Sequence, residues 1–156
     1  MADAFAELDS AVSAYLESLS PAERRRTARK IGMALRKANA KRIADNVQPD
    51  GSPMQPRKPR RLKAGKGQLK RGRMFRKLRL ARSFKVRATA VGVSIGFEGS
   101  VGQTARAHQY GLIDFVGRTD AGKVVRAKYP KRVLLGFGPE DMDAVNDIVL
   151  SVLRGG

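Results

Sequence analysis

Phe84-Lys85-Val86-Arg87-Ala88-Thr89-Ala90-Val91-Gly92-Val93-Ser94-Ile95-Gly96-Phe97 is the stretch whose reading decides the fold. Phe84, Val86 and Ala88 alternate with basic residues, and Val91, Val93, Ile95 and Phe97 alternate with small ones. Period two is the mark of half-buried strands, so the spacing predicts a hairpin turning near Thr89-Ala90. Small residues on the second strand leave one side narrow enough for a close helix or a neighbouring subunit.

Working outward toward the N-terminus, the chain becomes basic. From Arg57 to Arg87 there are 15 Lys or Arg, and no acid occurs between Gly51 and Phe97. Pro49-Asp50-Gly51 signals a turn, and Pro53, Pro56 and Pro59 exclude a regular helix or central strand. Gly65, Gly67 and Gly72 follow, which predicts an extended loop over residues 48–72. Its length points to functional contact or disorder rather than simple connection. Arg57, Lys58, Arg60, Arg61, Lys63, Lys66, Lys70, Arg71 and Arg73 are the candidate polyanion-binding residues. Such side chains bind phosphate without reading bases. Residues 74–81 read as a short basic amphipathic helix or turn, with Met74, Phe75 and Leu78 packing.

Before the loop the period is helical. Phe5, Leu8, Val12, Tyr15, Leu16 and Leu19 place an apolar stripe on a helix over about residues 3–19. Ser20-Pro21-Ala22-Glu23 then supplies an N-cap, a first-position proline and an acid at the third position. The second helix extends to about Ala44, burying Ile31, Leu35, Ala38 and Ile43 and turning an Arg/Lys-rich face outward. The pair reads as an αα-hairpin on a sheet; alternatively the first helix is a mobile or interface element that packs on a neighbouring subunit.

Beyond the strands, Ala105, Ala107 and Tyr110 lead into Gly111. His108 has no acid or nucleophile at a diagnostic spacing, so a structural hydrogen bond or an interface contact is expected rather than catalysis. Asp114 and Asp120 fall in a Gly-containing loop without the spacing of a calcium site. Asp120-Ala121-Gly122-Lys123 reads as a turn, Val124-Val125 as a short strand, and Val133 to Phe137 as a strand or subunit seam. Gly138-Pro139-Glu140-Asp141 starts a last helix whose apolar face is Met142, Val145, Ile148, Val149 and Val152.

Length and composition bound the function. The 156 residues fit one domain, and 42% hydrophobic content suits a folded protein. The formal charge of +18 attracts polyanions: nucleic acid or an acidic protein surface. With no Cys, thiolate chemistry, disulfides and cysteine metal sites are excluded. One His and scattered acids give no metal or cofactor site. The first residues are acidic and amphipathic, unlike a secretory leader, and no run of about 18 apolar residues suggests a membrane span. The expected fold class is α+β: N-terminal helices, a small mainly antiparallel sheet, a long basic loop and a C-terminal helix in a single domain, residues 1–156.

Three segments carry a resemblance. Gln48-Pro49-Asp50-Gly51-Ser52-Pro53-Met54 is similar to a Pro-Asp-Gly-containing signature of the phage virion morphogenesis family, with Met54 at its aromatic position. Ala107-His108-Gln109-Tyr110-Gly111 resembles the second signature, and Tyr129-Pro130-Lys131-Arg132-Val133-Leu134-Leu135-Gly136-Phe137 the third. The resemblance covers about residues 20–153. It implies a non-enzymatic tail-completion protein of contractile-tailed temperate phages, a homohexameric ring at the head-proximal tail end or neck, assembled in the host cytoplasm. There it would terminate the tail tube or join tail to head. Implied partners are tail tube or sheath-terminating proteins, head-connector proteins and packaged DNA. Implied interface residues are Gln48, Pro49, Asp50, Gly51, Met54, Phe75, His108, Gln109, Tyr110, Tyr129, Pro130, Arg132 and Phe137. The alternative is a basic nucleic-acid-binding protein contacting DNA through residues 57–87.

Overall fold

The structure, a computed structural model, describes residues 10, 13–57 and 74–155. Two helices come first: α1 over residues 13–18 and α2 over Pro21–Asp45. The β1–β2 hairpin follows, Phe84–Ala88 and Val93–Phe97, then α3 over Ser100–Tyr110. A second hairpin, β3 (Ile113–Arg118) and β4 (Val124–Lys128), precedes α4 over Pro139–Leu153. The class is α+β as expected, but the strands form two separate two-stranded sheets rather than one. The N-terminal part of the expected first helix and most of the basic loop lie outside the described residues.

The chain forms two compact units. One comprises Met1–Lys37, Val86–Ile95 and Pro139–Gly156, the other Ala38–Lys85 and Gly96–Gly138. In the first, α2 begins as its sequence dictates. Glu23 Oε2 accepts from the Ser20 amide at 2.8 Å and the Ser20 hydroxyl at 2.7 Å, and the Glu23 amide donates back to Ser20 Oγ at 3.3 Å. This reciprocal pair satisfies donors that a helix start leaves unpaired. The Ser20 hydroxyl and amide hold the Glu23 carboxyl below its usual range. Gly32 faces the first hairpin: a Cβ there would lie 2.4 Å from Val86 Cγ1 and 2.5 Å from Val93 Cγ2. The Tyr15 hydroxyl donates to the Val152 carbonyl at 3.2 Å, tying α1 to the end of α4.

The buried positions of α2 are Thr27, Gly32, Leu35, Asn39 and Ile43. Leu35 and Ile43 were expected; Ile31 and Ala38 are only half-buried, because the stripe is rotated toward Gly32 and Asn39. The helix ends at Asn46, whose φ of 56° is the left-handed turn that Asn tolerates, and the Val47 amide returns to the Arg42 carbonyl at 2.9 Å.

The second unit holds the main core: Ile43, Met54, Met74, Leu78, Ala105 and Leu134, with Phe75, Phe97 and Val101 packed around them. Met54 fills an apolar site, as an aromatic ring at that position would. Phe84 is fully buried, its ring 4.6 Å from that of Phe97. Residues 74–83 make successive turns, not a helix; Phe75 has φ 60°. The expected hairpin turn is present: Thr89 Oγ1 accepts from the Val91 and Gly92 amides at 3.3 and 3.2 Å.

Three expectations for local structure are corrected, the first being that Asp114, placed in a loop, lies in β3. Residues 100–110, for which the sequence announced no helix, form α3. Its inward stripe, Val101, Ala105 and His108, has helical spacing but little apolar bulk, so hydrophobic periodicity barely registers it. Gly111 closes the helix at φ 67°, and the Leu112 amide donates to the Ala107 carbonyl at 2.8 Å. Val133 to Phe137, read as a strand or subunit seam, is irregular with a bend at Leu135 and pairs with no strand among the described residues.

Candidate functional site

Segment 132–136, which belongs to no helix or strand, raises an accounting question, since buried backbone amides need partners. Side-chain amides supply them. Gln48 Oε1 accepts from the Val133 amide at 2.8 Å. Gln109 Oε1 accepts from Leu134 at 2.7 Å and Leu135 at 3.0 Å, while its Nε2 donates to the Leu135 carbonyl at 3.1 Å. Asn39 Oδ1 accepts from the Gly136 amide at 3.2 Å, and Arg42 Nη2 donates to the Gly136 carbonyl at 3.2 Å. Three carboxamides and a guanidinium therefore stand where an adjacent strand would.

Each of these groups is delivered by a different element. Asn39 and Arg42 project from α2, and Asn39 is fully buried. Gln109 comes from the last turn of α3. Gln48 sits in a tight loop closed by its own carbonyl, which accepts from Gly51 at 2.9 Å, and by its amide, which donates to the Ser52 carbonyl at 2.8 Å. Gly51 takes φ 84°, the left-handed region that a turn here requires. The Ser52 hydroxyl and amide donate to Asp50, holding its carboxyl below the usual range. Gly136 approaches this loop so closely that a Cβ would lie 2.7 Å from Pro49 Cγ.

Arg132 fixes the chain at Gln55 and Pro56. Its Nε donates to the Gln55 carbonyl, its Nη2 to the Pro56 carbonyl at 3.0 Å, and its Nη1 to His108 Nδ1 at 2.9 Å. The His108 ring lies edge-on to Phe75 at 4.8 Å and tilted against Tyr129 at 4.4 Å. Burial pushes the imidazole pKa down to about 4, and the positive charges of Arg132 and Arg57 add to the effect; Asp114 opposes it weakly. Burial, with Arg57 nearby, also lowers Arg132. A neutral ring against a buried guanidinium is a structural joint, poorly suited to taking up a proton near neutral pH.

The structure thus brings the three signature segments together. Gln48, Met54, Phe75, His108, Gln109 and Arg132 point into this joint or the core beneath it. Asp50 and Gly51 are exposed on the turn, and Pro49, Tyr129 and Pro130 are half-buried. Tyr110 and Phe137 are 65% and 68% exposed. Of the polyanion-binding candidates, Arg57 is exposed; Lys58, Arg60, Arg61, Lys63, Lys66, Lys70, Arg71 and Arg73 lie outside the described residues. Asn39 and Arg42 were missed. The available signal was a carboxamide at residue 39, midway between Leu35 and Ile43 on the buried stripe.

Among the described residues, no three His, Asp or Glu side chains are placed to hold a metal ion, and no helix is long and apolar enough to cross a membrane. No solved structure matches the chain. Tail completion protein S of Escherichia phage P2 is 34% identical over 151 residues, covering 96% of this chain and 97% of that protein. Residues 3–154 match the phage virion morphogenesis family. The three segments that meet at the Gln48, Gln109 and Arg132 contacts all lie within that match, and the chain belongs to the phage virion morphogenesis family.

Proposed function

We propose that this protein is a structural virion component that completes the phage tail, acting as a homohexameric ring at the head-proximal end that terminates the tube or joins it to the head. The observation that carries this reading is the likeness to a tail completion protein along nearly the whole chain, with no large insertion or missing part. The joint geometry is consistent with it. The signature residues are spent on fixing backbone segments within one subunit, which gives a stiff block suited to repeated contacts rather than a reactive cleft. His108 accepts from Arg132 and has little basicity left for proton transfer, which supports a role without catalysis. Tyr110, Phe137, Asp50 and Gly51, exposed around that block, are the contacts offered to neighbouring subunits and to tube, sheath-terminating or head-connector proteins. A closed ring supplies the finite, repeated interface that a tail end needs. The basic 57–73 segment faces packaged DNA or acidic neighbours, where its charge is offset.

The test is completion of tails assembled in its absence. Purified full-length protein added to such tails should produce ring-shaped density at one end by electron microscopy and restore joining to heads. Tails that remain incomplete, with the protein instead distributed along free DNA in a salt-dependent manner, would replace this reading by one of nucleic-acid binding.

A further inference from the structure

The β3–β4 ribbon is left with its apolar side chains in solvent. Ile113 is 67% exposed and Phe115 51%, and Val116, Val124 and Val125 are also exposed. All five residues of β4 are exposed. A bulge at Val116, which has no partner between the Phe115–Arg126 and Gly117–Val125 pairs, adds twist and re-aims the side chains there. An isolated two-stranded ribbon is marginal in water, and clustered exposed apolar side chains mark an interaction surface. The ribbon carries Arg118, Lys123, Arg126 and Lys128 against Asp114 and Asp120.

Charge identifies the occupant. The chain is +18, so copies of it repel one another over most of their surface. Among the described helices α4 is the most acidic: it contains Glu140, Asp141, Asp143 and Asp147 and no basic residue. Asp141 is buried, but Glu140, Asp143 and Asp147 are exposed, interleaved with exposed Met142 and Leu150. Residues 143, 147 and 150 fall on one helical face. An acidic face with apolar residues thus complements a basic ribbon with apolar residues, and both belong to the same sequence.

We propose that the β3–β4 ribbon of one copy docks on the outer face of α4 of the next copy. The contact joins two different surfaces, so it is head-to-tail and propagates to a ring when the rotation closes. This deepens the ring reading and rests on it.

The test uses two full-length variants, Asp143→Arg with Asp147→Arg, and Arg126→Glu with Lys128→Glu, all at exposed positions. Sedimentation and native mass spectrometry should show wild-type oligomers and at least about tenfold weaker self-association of each variant alone, the loss that ~1.4 kcal/mol produces. An equimolar mixture should recover assembly, because alternating copies pair each altered surface with its altered complement and each native surface with its native one. Variants that associate like wild type, a mixture that stays dispersed, or a wild-type chain that is monomeric at every concentration would overturn the proposal. Either two-residue variant alone completing tails as wild type does would overturn this contact alone; wild-type protein that fails to complete tails would remove the ring reading itself.

Discussion

Arg132 Nη1 lies 2.9 Å from His108 Nδ1, and the contact fixes the tautomer of the imidazole. A guanidinium has only donors, so Nδ1 must be the acceptor and the ring proton sits on Nε2. Protonating Nδ1 would set an imidazolium against a cation in a buried joint. The sign of the resulting pH dependence follows. His108 binds its proton near pH 4 when folded and near 6.5 when unfolded. Between those values the unfolded chain holds more protons. The stability contributed by the neutral ring is therefore complete above about 6.5 and is lost as pH falls toward 4, on the order of 2–3 kcal/mol. Urea unfolding at a series of pH values should show this loss, and His108→Gln should flatten the curve across the window. Equal slopes for the two proteins would refute the assignment.

Arg132 should be intolerant even of lysine. Three separate acceptors, on Gln55, Pro56 and His108, receive its fork. An ammonium reaches fewer of them with the same geometry. Arg132→Lys is expected to cost ~1–3 kcal/mol and Arg132→Met more, since two carbonyls and a ring nitrogen then lose their donor. Limited proteolysis should cut sooner near residues 55–57 in both variants, because the side chain ties that segment down. Unchanged cleavage rates would show that other contacts hold it.

The carboxamides make a graded prediction. Gln109 serves three backbone groups of Leu134 and Leu135, whereas Gln48 Oε1 serves only the Val133 amide on this segment. Gln109→Leu should therefore destabilise by ~2–4 kcal/mol and Gln48→Leu by ~1–2 kcal/mol, the scale set by unsatisfied buried groups. Thermal melts of the two variants should rank in that order. Amide exchange of Leu134 should accelerate in the first variant and that of Val133 in the second.

The contrast between these residues and the strands explains how far the sequence could be read. The capping box at Ser20 and Glu23, the Thr89 turn and the α4 start are local: the partners lie within three residues of one another, so spacing reveals them. The chain from Val133 to Phe137 has the composition of a strand but bends at Leu135. What it lacks is a pairing strand, replaced by side chains that are 25 to 97 residues distant. No local pattern encodes that substitution. Helix α3 was hidden for another reason, since Ala105 and His108 occupy positions where bulky apolar residues would have announced a buried face. Of the site, the three signature segments were legible as segments, but their meeting was not; Asn39 acts through a tertiary contact with Gly136 and left only its polar interruption of an apolar stripe.

Gly32 decides a competition between propensity and packing. In a helix interior, alanine is favoured over glycine by ~1 kcal/mol, so Gly32→Ala would stabilise α2 if the site were open. It is not open. The added Cβ would fall 2.4 Å from Val86 Cγ1 and 2.5 Å from Val93 Cγ2, both well inside van der Waals contact. Both are methyls of β-branched side chains with few rotamers to escape into. Overpacking of this kind costs ~1–3 kcal/mol, so the net effect should be destabilising or at best neutral. The conflict lies with identified atoms, and its removal should reverse the sign. In a double-mutant cycle, Val86→Ala alone should destabilise, while Gly32→Ala combined with Val86→Ala and Val93→Ala should be more stable than the valine-shaved hairpin with glycine retained. Denaturant midpoints measured for the four combinations would separate the terms. If Gly32→Ala raised the midpoint in the wild-type background, the hairpin could not lie as close to α2 as these distances place it.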